Sequence, residues 1–129
     1  MSAELFIDVL FGYRDQGKYL VQEFVLMPDH FHALLTPTGP TLERALGLIK
    51  GGFSFRAGKE LKWWFEIWQP SFADRRVRDS AEYFRFKNYI YQNPVKRFLT
   101  KTPEEYRYSS ASGRFRLDPV PQWLKPQIF

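Results

Sequence analysis

The alternation of apolar and polar residues predicts a helix followed by a β-hairpin in the first part of the chain. Apolar residues recur at helical spacing over residues 3–19. Residues 19–27 are rich in β-branched and aromatic side chains, which is typical of a strand. A turn at Pro28 then separates this segment from residues 30–36, a second strand that ends before Pro37. We therefore expect the two strands to pair as an antiparallel hairpin.

The second half of the chain has one strongly patterned helix. Residues 81–93 combine helical spacing with a start signal at Ser80. Pro94 should end this helix near Asn93, because a proline disfavours the α conformation of the residue before it. The other expected elements are helices over residues 41–50, 53–61 and 95–99, a strand within residues 72–78, and a mostly irregular tail.

The composition indicates one soluble domain. With 129 residues, of which 44% are hydrophobic and 19% aromatic, the chain has enough apolar material for a packed core, expected over residues 1–110 with a tail over residues 111–129. The sequence contains no membrane-length apolar run and no signal-peptide pattern, so we expect a cytoplasmic protein without a membrane partner. It also has no cysteine, which excludes disulfides, thiolate metal sites and cysteine nucleophiles.

The positive charge is concentrated in the middle of the chain. The net charge is +5, but residues 50–101 hold twelve Lys and Arg against five Asp and Glu, while residues 1–49 hold three against six. Aromatic residues are interleaved with these cations, a combination that suits a phosphate backbone. On charge alone, a solvated charged surface is an equally good interpretation.

The two histidines of the chain are candidates for metal ligation. His30 and His32 directly follow the Pro28-Asp29 turn and are separated by Phe31 alone. Alternate side chains of a strand point to the same face, so both imidazoles would address one site. Two neutral imidazoles on a rigid strand provide partial ligation for a divalent cation such as Mg²⁺, Mn²⁺ or Zn²⁺. The alternative is a pair of half-buried histidines satisfied by backbone hydrogen bonds.

The helix over residues 81–93 carries a candidate nucleophile. Tyr89 and Asn93 are four residues apart and share one face, so a phenol and an amide could serve one site as nucleophile and neutral metal ligand. Tyr91 is roughly 160° to 200° away around the helix and cannot serve that site. Alternatively, Tyr89 is a packing residue and Asn93 caps the helix before the proline.

Three stretches together resemble a known family. Residues 24–37 (FVLMPDHFHALLTP), 89–98 (YIYQNPVKRF) and 104–110 (EEYRYSS) resemble the IS200-like, single-tyrosine (Y1, HUH) transposases, in particular the REP-associated tyrosine transposase branch. The similarity extends over about residues 5–110, and the combination is far more specific than any one motif.

The resemblance implies both a fold and a set of site residues. The fold is α+β, with helices packed on a ferredoxin-like antiparallel sheet. His30, His32 and Asn93 would bind the divalent metal, Mg²⁺ or Mn²⁺, and Tyr89 would be the catalytic nucleophile. The implied partner is single-stranded, hairpin-bearing DNA, cleaved through a 5′-phosphotyrosine that allows rejoining without ATP. The candidate phosphate-binding residues are Lys50, Arg56, Lys59, Lys62, Arg75, Arg76, Arg78, Lys96 and Arg97.

The start of the chain departs from the family pattern. Family members usually begin with a strand ahead of the first helix, whereas this chain opens at the helix. That strand is central in the family's sheet, so its absence should expose ladder groups on its neighbours. We expect a truncated or degenerate copy. Such proteins commonly form homodimers, in which two copies could also exchange a strand.

Two other functions fit some of the residues. A catalytically inactive relative that binds DNA or RNA hairpins would have the same basic surface. A hydrolytic metalloenzyme could use both histidines and Asp29, but it would need a further carboxylate, and no HExxH-like spacing is present.

Overall fold

The computed structural model describes residues 2–28, 30–37, 75–77, 79–120 and 127–128, which form an α+β fold. The elements in chain order are α1 (Ser2–Asp15), β1 (Tyr19–Leu26), β2 (Phe31–Pro37), β3 (Arg75–Arg76), α2 (Ser80–Lys96), two 3₁₀ turns (Pro103–Glu105 and Ser110–Ser112) and β4 (Gln127–Ile128). The first helix, the hairpin and the strand within residues 72–78 lie where the sequence predicts them. The helices expected over residues 41–50 and 53–61 lie outside the described residues. No helix in the described part is both long and apolar enough to cross a bilayer.

The strands of the described residues form one sheet in the order β1-β2-β4-β3, with antiparallel neighbours. β1 and β2 pair along their length with an irregularity between Val21 and Glu23. The Met27 N–H donates to the His30 carbonyl (2.7 Å) and closes the tight turn between them. The opposite edge of β2 pairs with β4, so that edge is not left exposed where the two strands meet.

Helix α1 packs on one face of the sheet. Its apolar stripe, which includes Phe6 and Leu10, is buried against the odd-numbered residues of β2 and their partners on β1. The Phe6 and Phe31 rings are 4.8 Å apart, and the Tyr19 hydroxyl donates to the Leu10 carbonyl. These contacts fix α1 on one face of the hairpin. The opposite face is left for α2.

Helix α2 packs on the second face. Ile90 joins Val25, Met27, Leu34 and Val77 in a separate buried cluster. This face therefore has a smaller apolar core than the first, and polar side chains of β1 and β2 lie around it.

The prediction that the tyrosine-bearing helix ends near Asn93 is wrong, as is the separate short helix over residues 95–99. α2 continues through Pro94 to Lys96. Pro94 lies in the last turn, where its missing N–H costs a single backbone bond, and both Asn93 and Pro94 are buried by packing. The conformational preference imposed by a proline on its predecessor is therefore outweighed by tertiary contacts. At the other end, the Asp79 carboxylate accepts the Glu82 N–H (2.8 Å) and caps the helix.

The segment that follows α2 covers the outer edge of β1. The Leu26 N–H donates to the Tyr108 carbonyl, and the Phe24 N–H donates to the Ser110 hydroxyl (3.1 Å). Asp118 exchanges two bonds with Val21, donating its N–H and accepting the Val21 N–H with its carboxylate (2.9 Å). This edge thus has partners for its ladder groups without a regular strand beside it.

The packed structure continues beyond residue 110, where the sequence was expected to turn into a tail. The Phe115 ring stacks on Phe11 and meets Phe24 edge-on, with centroids 5.7 and 4.9 Å away. Leu117 also packs on the α1-side core. Residues 114–120 are irregular in backbone, as expected, but they are structural in their side-chain contacts.

Candidate active site

The hairpin brings both imidazoles to one place. His32 pairs with Val25 across the ladder, and because cross-strand partners share a face, it points toward α2. His30 precedes β2 at the turn, and the two rings are 4.8 Å apart at 75°. The alternate spacing predicted that the imidazoles would lie together, and the structure places them so.

Helix α2 brings Tyr89 to the same place. Its ring centroid lies 5.1 Å from that of His32, and its hydroxyl is 3.4 Å from His32 Nε2. The two residues are 57 positions apart in sequence, so only the packing of α2 on the sheet brings them together. Tyr89 is 43% exposed, which leaves the phenol accessible to a ligand from solvent.

The geometry of these side chains fits a divalent cation. Two imidazoles that bind one ion through nitrogens about 2.0–2.1 Å away have ring centroids roughly 4.5–5.2 Å apart, a range that includes the separation of His30 and His32. No group of three or more His, Asp or Glu side chains able to hold a metal occurs among the described residues. A site here would therefore need oxygen donors from an amide or water to complete the two imidazoles.

Asn93 lies one helical turn beyond Tyr89 on α2. It is 6% exposed, against 43% for Tyr89, and its backbone carbonyl accepts the Arg97 N–H. Its position on the tyrosine face follows the predicted register. Its assignment as the third metal ligand stays a prediction.

The other tyrosines of α2 have different environments. Burial, followed by a hydrogen bond with the Glu23 carboxylate, raises the pKa of the Tyr91 phenol. Burial and the charge of Glu23 raise the pKa of Tyr83 to about 12. Tyr83 and Tyr91 are half-buried, whereas the Tyr89 side chain is 43% exposed.

A buried polar cluster, which the sequence analysis missed, ties α2 to the sheet. Glu23 accepts from the Ser110 hydroxyl (2.8 Å) and lies 3.9 Å from Lys87 Nζ of α2, while being only 6% exposed. Burial first, and this carboxylate second, raise the pKa of the Tyr91 phenol. The signal available in the sequence was a charged residue inside the apolar segment YLVQEFVL. A carboxylate at such a position needs partners from elsewhere in the fold.

The candidate phosphate-binding residues divide into three groups. Lys96 and Arg97 are exposed at the end of α2. The backbone of Arg75–Arg76 forms β3. The remaining candidates lie outside the described residues, and these are Lys50, Arg56, Lys59, Lys62 and Arg78. Arg85, which is not among these candidates, is also exposed one turn before Tyr89 on the same helix face.

Comparison with known proteins identifies relatives of the chain. It is 29% identical over 105 residues to the REP-associated tyrosine transposase of Escherichia coli (strain K12), a match that covers 76% of this chain and 61% of that protein. It is 27% identical over 96 residues to a putative REP-associated tyrosine transposase of Haemophilus influenzae, covering 66% of this chain and 54% of the relative. The chain therefore spans less than two thirds of the length of each. No protein-family model matches.

The fold has a counterpart among solved structures. A REP-associated tyrosine transposase bound to a REP hairpin superposes with a TM-score of 0.70 at 24% identity, covering 92% of this chain and 73% of that one. The α+β fold expected from the sequence resemblance is thus confirmed. The fold is similar to that of this REP-associated tyrosine transposase. The chain is a relative of the REP-associated tyrosine transposases.

Proposed function

We propose that this protein binds hairpin-bearing single-stranded DNA and cleaves and rejoins it through a covalent bond to Tyr89. The observation that carries the proposal is the convergence of Tyr89 with the histidine pair, with the phenol oxygen 3.4 Å from His32 Nε2. Two of these side chains come from a rigid hairpin and the third from a helix packed on it. Such support from regular elements is what precise catalytic geometry requires.

His30, His32 and Asn93 would hold a divalent cation, Mg²⁺ or Mn²⁺. When bound, the cation supplies positive charge that stabilises the oxygens of the scissile phosphate and favours ionisation of a nearby phenol. The Tyr89 oxygen forms a bond to phosphorus as the bond from phosphorus to the 3′ oxygen breaks. The leaving oxygen takes up a proton, and the phenolic proton passes to water, which reaches Tyr89 at its exposed edge. Attack by the 3′ hydroxyl on the phosphotyrosine reverses these changes and rejoins the strand.

The DNA substrate is supported by charge and by the relatives. Exposed cations at Arg85, Lys96 and Arg97 lie on the helix that carries Tyr89, before and after it. A solved structure of similar fold is bound to a REP hairpin. Binding through phosphates predicts an affinity that falls as the salt concentration rises.

The proposal also includes the oligomeric state of the protein and its location in the cell. We expect a homodimer in the cytoplasm, as the family resemblance implies. Light scattering on the purified chain measures the assembly, and a monomer at all concentrations would remove the dimer from the proposal.

Metal dependence tests the histidine assignment. With a hairpin-bearing oligonucleotide and Mn²⁺ or Mg²⁺, we expect covalent adduct formation that EDTA removes. His32→Asn should lower the adduct rate by at least about 10²-fold, because it removes a group that organises charge at the reacting phosphate. Asn88→Ala, an exposed neighbour of Tyr89 on α2, should retain the rate. If both variants react like the parent, the metal assignment is wrong.

The same assay distinguishes the alternative of an inactive hairpin binder. If the protein binds the hairpin in a salt-sensitive way but forms no adduct with either metal, its function is hairpin binding and not cleavage. The exposed cations at Arg85, Lys96 and Arg97 favour testing it, since they could bind phosphates without any cleavage.

A further inference from the structure

Helices α1 and α2 end in the same backbone motif, with different residues at its key position. α1 ends with Gly17 at φ +80, where the Gly17 N–H bonds Arg14 and the Lys18 N–H bonds Tyr13. This is the Schellman arrangement, whose left-handed position usually holds glycine. α2 repeats the pattern of bonds, but its left-handed residue is a phenylalanine.

Phe98 occupies that position at φ +60. Its N–H bonds the Val95 carbonyl (3.0 Å), and the Leu99 N–H bonds Pro94 (2.9 Å). A residue with a β-carbon is strained in this conformation. The ring is 94% exposed, so burial of the side chain does not offset the strain. Backbone strain that no packing contact compensates is found mainly at functional sites, which is a reason to look for a function here.

The surroundings of Phe98 are basic. Lys96 and Arg97 precede it, Lys101 follows it, and all three are exposed. Residues 94–102 contain no acidic side chain. An accessible aromatic ring among cations is the arrangement with which proteins bind single-stranded nucleic acid, because the ring stacks on a base while the cations neutralise phosphates.

The position along α2 agrees with a strand that also reaches Tyr89. Nine residues separate Tyr89 from Phe98, which corresponds to about 13 Å at a rise of about 1.5 Å per residue. Around the axis, nine positions at about 100° per residue place Phe98 roughly opposite Tyr89, so a strand bound at Phe98 would pass around the C-terminal end of α2 before it reaches Tyr89.

We propose that Phe98 is a stacking platform for an unpaired base in the single-stranded DNA that flanks the hairpin. Lys96, Arg97 and Lys101 bind the adjoining phosphates. The inference rests on the proposed function, since it assigns a binding residue to the same DNA substrate. Phe98 would contact the single-stranded flank, and other residues would bind the hairpin stem.

Binding of two labelled oligonucleotides to the full chain tests this inference. One probe is a hairpin with a single-stranded flank of about ten nucleotides, and the other is the same hairpin with blunt ends. Both are measured on a Tyr89→Phe background, so that cleavage does not interfere. Phe98→Gly should weaken binding of the flanked probe about tenfold and leave the blunt probe unchanged. Phe98→Trp should retain affinity for the flanked probe.

Thermal unfolding separates this effect from damage to the fold. Phe98→Gly relieves the left-handed strain, so its Tm should rise by roughly 3–5 °C while its affinity falls. Phe84→Ala is the matched control, because Phe84 is another exposed aromatic residue of α2 and lies fourteen positions before Phe98, near the opposite end of the helix. It should leave both affinities unchanged.

Three results would overturn the inference. Equal binding of the flanked probe by Phe98→Gly and its parent removes the stacking role alone. Equal weakening of both probes assigns Phe98 to the hairpin stem or the fold. If the parent chain binds neither probe, the proposed function itself fails.

Discussion

Replacing Tyr89 by phenylalanine abolishes the covalent protein–DNA adduct and leaves hairpin binding within about twofold of the parent. The substitution removes one oxygen and keeps the ring that packs 5.1 Å from His32. The nucleophile is lost while the surface that meets DNA is nearly unchanged. The expected fall in adduct rate is at least about 10³-fold, since removal of a catalytic nucleophile can cost about 10⁶-fold.

A labelled hairpin oligonucleotide and denaturing electrophoresis measure the adduct, and filter binding measures the affinity. Tyr91→Phe is the matched control, since it removes a phenol from the same helix that is buried beside Glu23. After correction for the folded fraction, this variant should form adduct at a rate near that of the parent. An undiminished adduct in Tyr89→Phe, or its loss in Tyr91→Phe alone, would reassign the nucleophile.

Replacing Ser110 by alanine lowers the free energy of unfolding by about 2–4 kcal/mol. The Ser110 hydroxyl donates to Glu23 Oε1 (2.8 Å) and accepts the Phe24 N–H (3.1 Å), and all of these groups are buried. Alanine leaves a buried carboxylate oxygen and a buried N–H each short of a partner. A loss of this size is a large fraction of the stability of a small domain.

Urea unfolding of the purified variants measures this change. Ser112→Ala is the control, because its hydroxyl bonds the Ser109 carbonyl in the same turn but lies outside the buried cluster. It should cost less than about 1 kcal/mol. The double-mutant cycle of Ser110→Ala with Glu23→Gln should give a coupling above about 0.5 kcal/mol. Equal effects of the two serine variants, with no coupling, would mean that the cluster does not stabilise the fold.

The cluster also matters for the position of Tyr89. Glu23 contacts Lys87 and Tyr91 from β1, and these residues flank Tyr89 on α2. The apolar contacts of this face centre on Ile90. We infer that the Glu23–Lys87 ion pair, together with these apolar contacts, holds α2 on the sheet, and that the Tyr91 phenol can be removed without displacing Tyr89.

The elements that the sequence predicted well are those set by neighbouring residues. The period of two in His30-Phe31-His32 places both imidazoles together once the segment is a strand, and the structure has them 4.8 Å apart. The same local geometry puts Tyr89 and Asn93 on one face of a helix. Whether these residues bind metal and attack phosphate stays a prediction.

Local rules were insufficient where distant contacts carried more energy. Pro94 was expected to end the helix, but packing buries it and α2 runs on to Lys96. Glu23 has partners more than sixty residues away, and the irregular stretch up to Asp118 covers the edge of β1. The periodicity of apolar and polar residues does not predict contacts between residues so far apart in sequence.

The sequence alone therefore determined the hairpin, the paired imidazoles and the register of the tyrosine helix, because backbone geometry relates residues up to four positions apart. The tertiary structure alone decided that the Tyr89 hydroxyl lies 3.4 Å from His32, across 57 residues, and that Phe98 is exposed in a left-handed conformation. Those features depend on how α2 packs on the sheet and ends, which is a balance of burial, hydrogen bonding and strain over the whole fold.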